Sequence, residues 1–335
     1  MINMRHISAV CLFLALGFAG TAVYAQGEAD PGFASTGSMR TTSGLKIDEN
    51  DYENQRTHFS VGHSFAKGER DIRLNISQLE VRAPLFGLYS GGYFDMKLPI
   101  FAAAGELANT WGLGDMSFSY THMFIGLEDW TIQGTGGLLI GMGTANVTDG
   151  APRPLPMAYQ PNRGSTDVMV GGSIMWKKWV TAAVGYQQPF YRYNENDFFA
   201  SNQVNDTFYS RDVYAIARKL YRQGDVMMRL EGHFIPNQRI GFTGGAVGIY
   251  HLKDDLYEDR NTGLWHEIDG TQGLTVNIHG NAYIRFGRYG QIKFDVSGST
   301  PVVRRDVYSS GLYRQWMITP RFTFFFNSKK GSLMF

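Results

Sequence analysis

Residues 273–286 read GLTVNIHGNAYIRF, and residues 291–297 read QIKFDVS. In the first stretch Leu274, Val276, Ile278, Ala282, Ile284 and Phe286 fall on one face of an extended chain. Thr275, Asn277, His279, Asn281, Tyr283 and Arg285 fall on the other. In the second, Ile292, Phe294 and Val296 oppose Gln291, Lys293, Asp295 and Ser297. Alternation at every second position over this length is the signature of a strand. The two apolar faces carry even numbers, and residues paired across an antiparallel ladder share a face. Paired numbers must therefore sum to an even value, and the connecting turn must hold an odd number of residues. The simplest such turn is Gly287-Arg288-Tyr289, which sets Tyr283 opposite Lys293 and Asn281 opposite Asp295.

The same period recurs along the chain. Met116, Phe118, Tyr120 and Phe124 alternate with Ser117, Ser119 and Thr121, and Trp316, Ile318, Phe322, Phe324 and Phe326 oppose Thr319, Arg321 and Thr323. Thirteen segments qualify: 56–66, 71–82, 91–100, 113–124, 128–142, 165–176, 179–190, 211–220, 225–235, 240–251, 272–286, 290–297 and 315–327. In 211–220, Val213, Ile216, Ala217 and Leu220 fit a helical face better than a strand. Removing it leaves twelve strands, an even number as a bacterial single-chain barrel requires; fourteen, with a strand hidden in a long loop, is the alternative. Short connections at Ile125–Leu127, Lys177–Lys178, Pro236–Arg239 and Gly287–Tyr289 alternate with long polar ones near 143–164, 191–209, 251–271 and 298–313. Short turns on one side and long loops on the other distinguish an outer-membrane barrel from a soluble sandwich. So do strands well above the usual five or six residues. The expected fold is thus all-β, a closed antiparallel up-and-down transmembrane barrel spanning 56–327.

The ends and the composition agree. Arg5, the apolar run Ile7–Gly20 and Val23-Tyr24-Ala25 form the three parts of an export signal, with cleavage expected before Gln26 and a mature chain located in the bacterial outer membrane. The single cysteine, Cys11, lies within that signal, which removes thiolate nucleophiles and disulfides from the processed chain. No stretch after Ala25 is long and apolar enough for a spanning helix, so membrane residence requires a closed barrel. The net charge of +1 gives no electrostatic case for nucleic acid. Residues 26–55 are a polar leader, periplasmic or folded into the barrel mouth, with acidic residues from Asp48 to Glu53. Residues 328–335 are a tail.

On this reading the polar face of each strand lines the lumen. It carries Asp95, Lys97, Arg229, Glu231, His233, His279, Arg285, Lys293, Asp295 and Arg321. Asp95 with Lys97, and Lys293 with Asp295, are i, i+2 pairs of opposite sign that neutralise each other or form a solute-filtering constriction. His233 fits a hydrogen-bonded lumen network, since buried polar groups need partners. Trp130, Trp176, Trp179, Tyr191, Tyr193 and Trp316 sit near strand ends, as interfacial aromatic girdles do.

A further pattern covers most of 90–327. A strand ending Lys97-Leu98-Pro99 is followed by Gly112-Leu113-Gly114-Asp115 opening an alternating strand. Later come Tyr159-Gln160-Pro161, Gly164-Ser165-Thr166-Asp167 and Pro301-Val302-Val303-Arg304-Arg305-Asp306-Val307. This resembles the outer-membrane barrel group labelled "MetA-pathway of phenol degradation" or simply "transporter". The resemblance implies an outer-membrane barrel that passes small hydrophobic or aromatic compounds.

Reactive constellations are scarce. There is no Gly-x-Ser-x-Gly elbow and no phosphate-cradling loop, and His266-Glu267 lacks the second histidine of a zinc helix because position 270 is Gly. The acidic stretches Asp254–Asp259 and 48–53 lack calcium-loop spacing. No enzyme activity, cofactor or metal is expected. The expected partners are outer-membrane lipid, the barrel-assembly machinery, which reads Trp316–Phe326 near the C-terminus, and a small-molecule solute. A structural or surface-interaction barrel is the second reading of function, and an outer-membrane enzyme the third.

Overall fold

A computed structural model describes residues 36–40, 46–48, 51–52, 56–84, 91–127, 129–150, 153–199, 214–287, 290–311 and 314–326. Twelve long antiparallel strands close into one ring. They are β1 (His58–Gly68), β2 (Arg73–Pro84), β3 (Gly92–Ala104), β4 (Met116–Gly126), β5 (Trp130–Ile140), β6 (Ser165–Trp176), β7 (Val180–Arg192), β8 (Asp225–Asn237), β9 (Ile240–His251), β10 (Gly273–Phe286), β11 (Ile292–Val303) and β12 (Arg314–Phe325). Each pairs with its neighbours in sequence, and β12 closes on β1 with Phe322 opposite Val61. An extra short strand, Asn109–Leu113, pairs with Ile100–Ala104 of β3, while Gly92–Lys97 of β3 pairs with β4. No described helix is long and apolar enough to cross a membrane.

Closure gives each of the twelve long strands a neighbour on both edges, which hydrocarbon demands because it offers no other hydrogen-bond partner. The alternation then sorts side chains to two sides. Phe65, Ile278, Phe322 and Phe324 on the outward face are 48%, 45%, 48% and 40% exposed, whereas Arg229, Glu231 and Asp295 on the other are 4%, 1% and 2% exposed. A soluble protein would bury the first set. Here the greasy set is outside and the charged set inside, as a lipid-embedded barrel requires.

The connections fall into two classes. The described residues of 141–164, 193–224, 252–272 and 304–313 lie at one end, together with 69–72 and 105–115, and those of 127–129, 177–179, 238–239 and 287–291 lie at the other. The expected loop 298–313 is shorter because β11 runs on to Val303. In the β10–β11 hairpin the parity argument holds, but the connection has five residues rather than three. Tyr283 faces Asp295 and Arg285 faces Lys293, a register two residues away from the expected one. Parity fixes which face a residue occupies and leaves turn length free. The described part of 211–220, from Tyr214 on, is neither strand nor helix; it lies in a loop, where Ala217 and Leu220 are buried. Its apolar spacing serves packing against other loops.

The expected strand 113–124 is interrupted. Pro99 has no N–H for the ladder, and the Gly114 N–H donates to the Pro99 carbonyl at 2.9 Å. A Cβ at Gly114 would lie 2.9 Å from Pro99 Cγ, so only glycine permits this approach. The Gly-Leu-Gly-Asp motif is therefore where the wall passes from the short strand to β4. Of the leader, Thr36–Arg40 runs inside the ring. Met39 packs with Leu139, Met169, Ala183, Met227 and Val247, and the Ser38 N–H donates to Thr135 Oγ1 at 2.8 Å. Gly37 has φ +53 there, and a Cβ on it would meet Thr135. The export signal and the 328–335 tail lie outside the described residues.

Candidate functional site: the barrel lumen

The lumen has two differently built ends. Near the short turns the wall carries charge. Arg82 of β2 grips Asp95 of β3 through Nε at 2.5 Å and Nη2 at 3.0 Å, and its guanidinium lies 4.3 Å from the centroid of the Tyr93 ring. Arg321 of β12 holds Asp295 of β11 in the same two-pronged way, at 3.1 and 3.0 Å, and Asn281 of β10 donates to Asp295 at 3.2 Å. Glu80 accepts from the leader's Arg40 and lies 3.7 Å from Arg321 and 3.8 Å from His58. Arg285 and Lys293, buried and directly opposite, lie 5.5 and 5.4 Å from the Tyr283 ring centroid. Lys97 is half-buried and sits opposite Glu80.

Deeper in, Glu231 of β8 receives His279 of β10 at 2.7 Å and lies 3.4 Å from Arg229 of its own strand. Arg229 also donates to the Arg40 carbonyl at 2.5 Å. His233 bridges Thr181 at 2.8 Å and Thr243 at 3.0 Å, linking β7, β8 and β9. All ten expected residues thus occupy the inward-facing positions of their strands. Asp95 pairs with Arg82 and Asp295 with Arg321, both across strands. Residues i and i+2 are separated by about 6.6 Å of extended chain, whereas directly opposite residues on neighbouring strands stand about 5 Å apart. Arg40, His58, Glu80 and Arg82 were missed. The alternation of 71–82 contained the signal for the last two.

At the long-loop end a different cluster forms, none of it among the expected site residues. Arg222 bridges Asp167 at 2.9 Å and Asp225 at 3.2 Å. Asp225 Oδ1 lies 2.6 Å from His251 Nδ1, and His251 Nε2 lies 2.8 Å from Asp255 Oδ1. Asp255 also accepts from Ser309 Oγ and, at 2.7 Å, from the Gln223 N–H. Burial works against ionising Asp255, but the hydrogen bond and charge of His251 outweigh it and hold its carboxyl below the ordinary value. Beside this chain lies an apolar cluster. Ile72, Leu74, Ile76 and Phe101 meet Leu155, Met157, Tyr159, Phe198, Tyr214 and Leu220 from the loops. Tyr159 and Tyr214 stand edge to face with centroids 6.2 Å apart. Burial raises the Tyr214 hydroxyl well above its usual value, so it stays neutral. Trp130, Trp176 and Trp179 ring the short-turn end, and Tyr191 and Trp316 sit exposed at the other. Tyr193 instead turns its hydroxyl to the Gly141 and Ser165 carbonyls.

Among solved structures, the chain is similar to the COG4313 outer membrane channel from Pseudomonas putida F1, at a TM-score of 0.56 and 14% identity over 81% of this chain and 96% of that one. The fold is that of a Gram-negative outer-membrane barrel. The NanC porin is a more distant likeness, with a TM-score of 0.44 and 11% identity over 79% of this chain and 98% of that one. No family model matches the sequence. No curated protein matches it either. The resemblance to the phenol-degradation group therefore stands on the sequence motifs, and the likeness to the COG4313 channel supports the barrel architecture beneath it.

Proposed function

We propose that this barrel is a passive outer-membrane channel for small molecules, with hydrophobic or aromatic solutes preferred. The observation that carries the reading is the apolar and aromatic cluster under the long loops, set above a polar, hydrogen-bonded lumen. Tyr159, Phe198 and Tyr214 lie buried beneath the loops, so a solute from outside reaches this surface when the loops open. Apolar surface there favours partition from water by roughly 25 cal/mol per Å² buried. The long loops then face outward and the short turns face the periplasm, as in barrels generally. Beyond the mouth, Arg82, Asp95, Lys97, Glu231, Asp295 and Arg321 form the constriction. Solutes leave along this wall or sideways between strands. Insertion follows removal of residues 1–25 and delivery to the barrel-assembly machinery.

Purified protein in a planar bilayer tests this directly. A stable single-channel conductance, reduced by added aromatic solutes, is the expected result. Electrical silence from protein that still shows heat-modifiable gel migration would overturn it. That outcome would favour the second reading, a non-transporting barrel, for which the leader segment across the lumen is the supporting observation. There Arg40 contacts Glu80 through its guanidinium and Arg229 through its carbonyl.

A further inference from the structure

The chain of charges at the long-loop end joins the rim to loops that backbone bonds also hold to one another, Tyr221 with Leu256 and Val307 with Gly270. Asp167 belongs to β6, Asp225 to β8 and His251 to β9, all at the rim. Arg222 lies in the 193–224 loop, Asp255 in the 252–272 loop and Ser309 in the 304–313 loop. Each of the six is at most 5% exposed. Gln187 of β7 and Ser165 of β6 also donate to Asp167. His251 is paired with Gly273 of β10, and a Cβ on Gly273 would lie 3.0 Å from the Cβ of Arg305, whose guanidinium lies 4.4 Å from the centroid of the Tyr308 ring.

The position of His251 decides what this chain does. Both of its ring nitrogens face carboxylate oxygens, at 2.6 and 2.8 Å. A neutral imidazole has one N–H and one lone pair, so it can satisfy only one of the two and would turn the lone pair on the other. Only the imidazolium donates twice. The charged ring therefore joins β8 and β9 to the 252–272 loop. Asp255 passes the connection on to the backbone of Gln223 and to Ser309, and so to the other two loops.

We propose that His251, held as an imidazolium between Asp225 and Asp255, is the latch that fastens three of the four long loops to the rim of the barrel, and that removing its charge loosens them. This rests on the channel reading for its biological meaning and not for its physical content. The groups that face the latch are Asp225 from β8, Asp255 from the 252–272 loop, and Arg222 from the 193–224 loop, with Asp167 of β6 and Arg192 of β7 behind it. Two conditions loosen it. Alkali takes the ring proton. Acid neutralises the carboxylates, but the Asp255 carboxyl lies below its ordinary value, so its contribution is complete above about pH 4 and is lost only as pH falls through that lower value.

The test uses loop proteolysis, which reads the latch without assuming transport. Trypsin acts on Lys253 and Arg260, within the 252–272 loop. In His251→Gln, which keeps one donor, cleavage there should be on the order of fivefold to tenfold faster than in the parent at neutral pH. The parent should approach the variant's rate as pH rises, and the variant should show no such rise beyond that of the protease on a control peptide. Heat-modifiable migration should be unchanged in both. Equal rates in parent and variant would overturn the latch. Should the variant not fold, nitrogen-15 spectra of histidine-labelled parent protein decide the matter. Two protonated ring nitrogens for His251 at neutral pH are expected, and a neutral tautomer would overturn the proposal. Bilayer recording of the same variant separates the two readings. Faster loop cleavage without any current keeps the latch and removes the channel.

Discussion

The two ends of the lumen solve the same problem of burying charge in opposite ways. At the short-turn end, acid and base sit on adjacent strands of the wall. Arg82 and Asp95, and Arg321 and Asp295, are fixed by the ladder itself. At the long-loop end, Arg222, Asp255 and Ser309 come from loops and reach back to Asp167, Asp225 and His251 on the rim. The first arrangement cannot come apart unless the barrel does. The second can separate while every strand remains paired. The difference teaches that a rigid wall and a releasable cover are compatible in one chain, because closure of the ring makes strand pairing independent of the loops.

Removing one partner at each end is the severest way to break this comparison. Arg82→Ala leaves Asp95 buried without its two-pronged cation and should destabilise the whole barrel by about 3–5 kcal/mol. Urea titration of folded protein in vesicles, followed by gel migration, reads it. Arg222→Ala should leave that midpoint nearly unchanged and accelerate loop proteolysis instead. Equal global losses would show that the loops are integral to the wall. In the apolar cover, Phe198→Ala should cost about 3–5 kcal/mol of cavity and transfer free energy, expressed only as loop opening. A shift in the barrel's own unfolding midpoint would contradict the separation. On the outward face, Ile278→Lys should destabilise insertion by about 2–4 kcal/mol at mid-membrane depth, again read from the urea midpoint in vesicles. The smallest effect is expected for Thr243→Val, which removes one hydrogen bond from His233 and should cost about 1 kcal/mol because Thr181 still holds the ring.

Part of this architecture was legible in the sequence because the relevant interaction has a period. Lipid on one side and polar contacts on the other force alternation, so strands such as β10 and β11 announce both their existence and their sidedness. The parity of their register followed from the same rule. The charged residues of the wall were legible as inward-facing for that reason, but their partners were not. Asp95 is held by Arg82 across the ladder, a partner that the order along the chain does not reveal. The break at Pro99 and Gly114 was visible as a motif but not as an interruption, since its cause is the approach of one strand to another.

The loop-end cluster lay beyond such reasoning. Arg222, Asp255 and Ser309 follow no period, and although Asp167, Asp225 and His251 share the inward positions of their strands, all six are separated by gaps that only the folded rim closes. The residues themselves determined a ring of amphipathic strands, its two faces and its two kinds of connection, because hydrocarbon acts on every strand in the same repetitive manner. Tertiary structure alone decided which charges meet, how long the turns are, that Thr36–Arg40 enters the lumen, and that one histidine stands between two carboxylates. Those outcomes depend on distances between segments remote in the chain, and no local pattern of side chains encodes them.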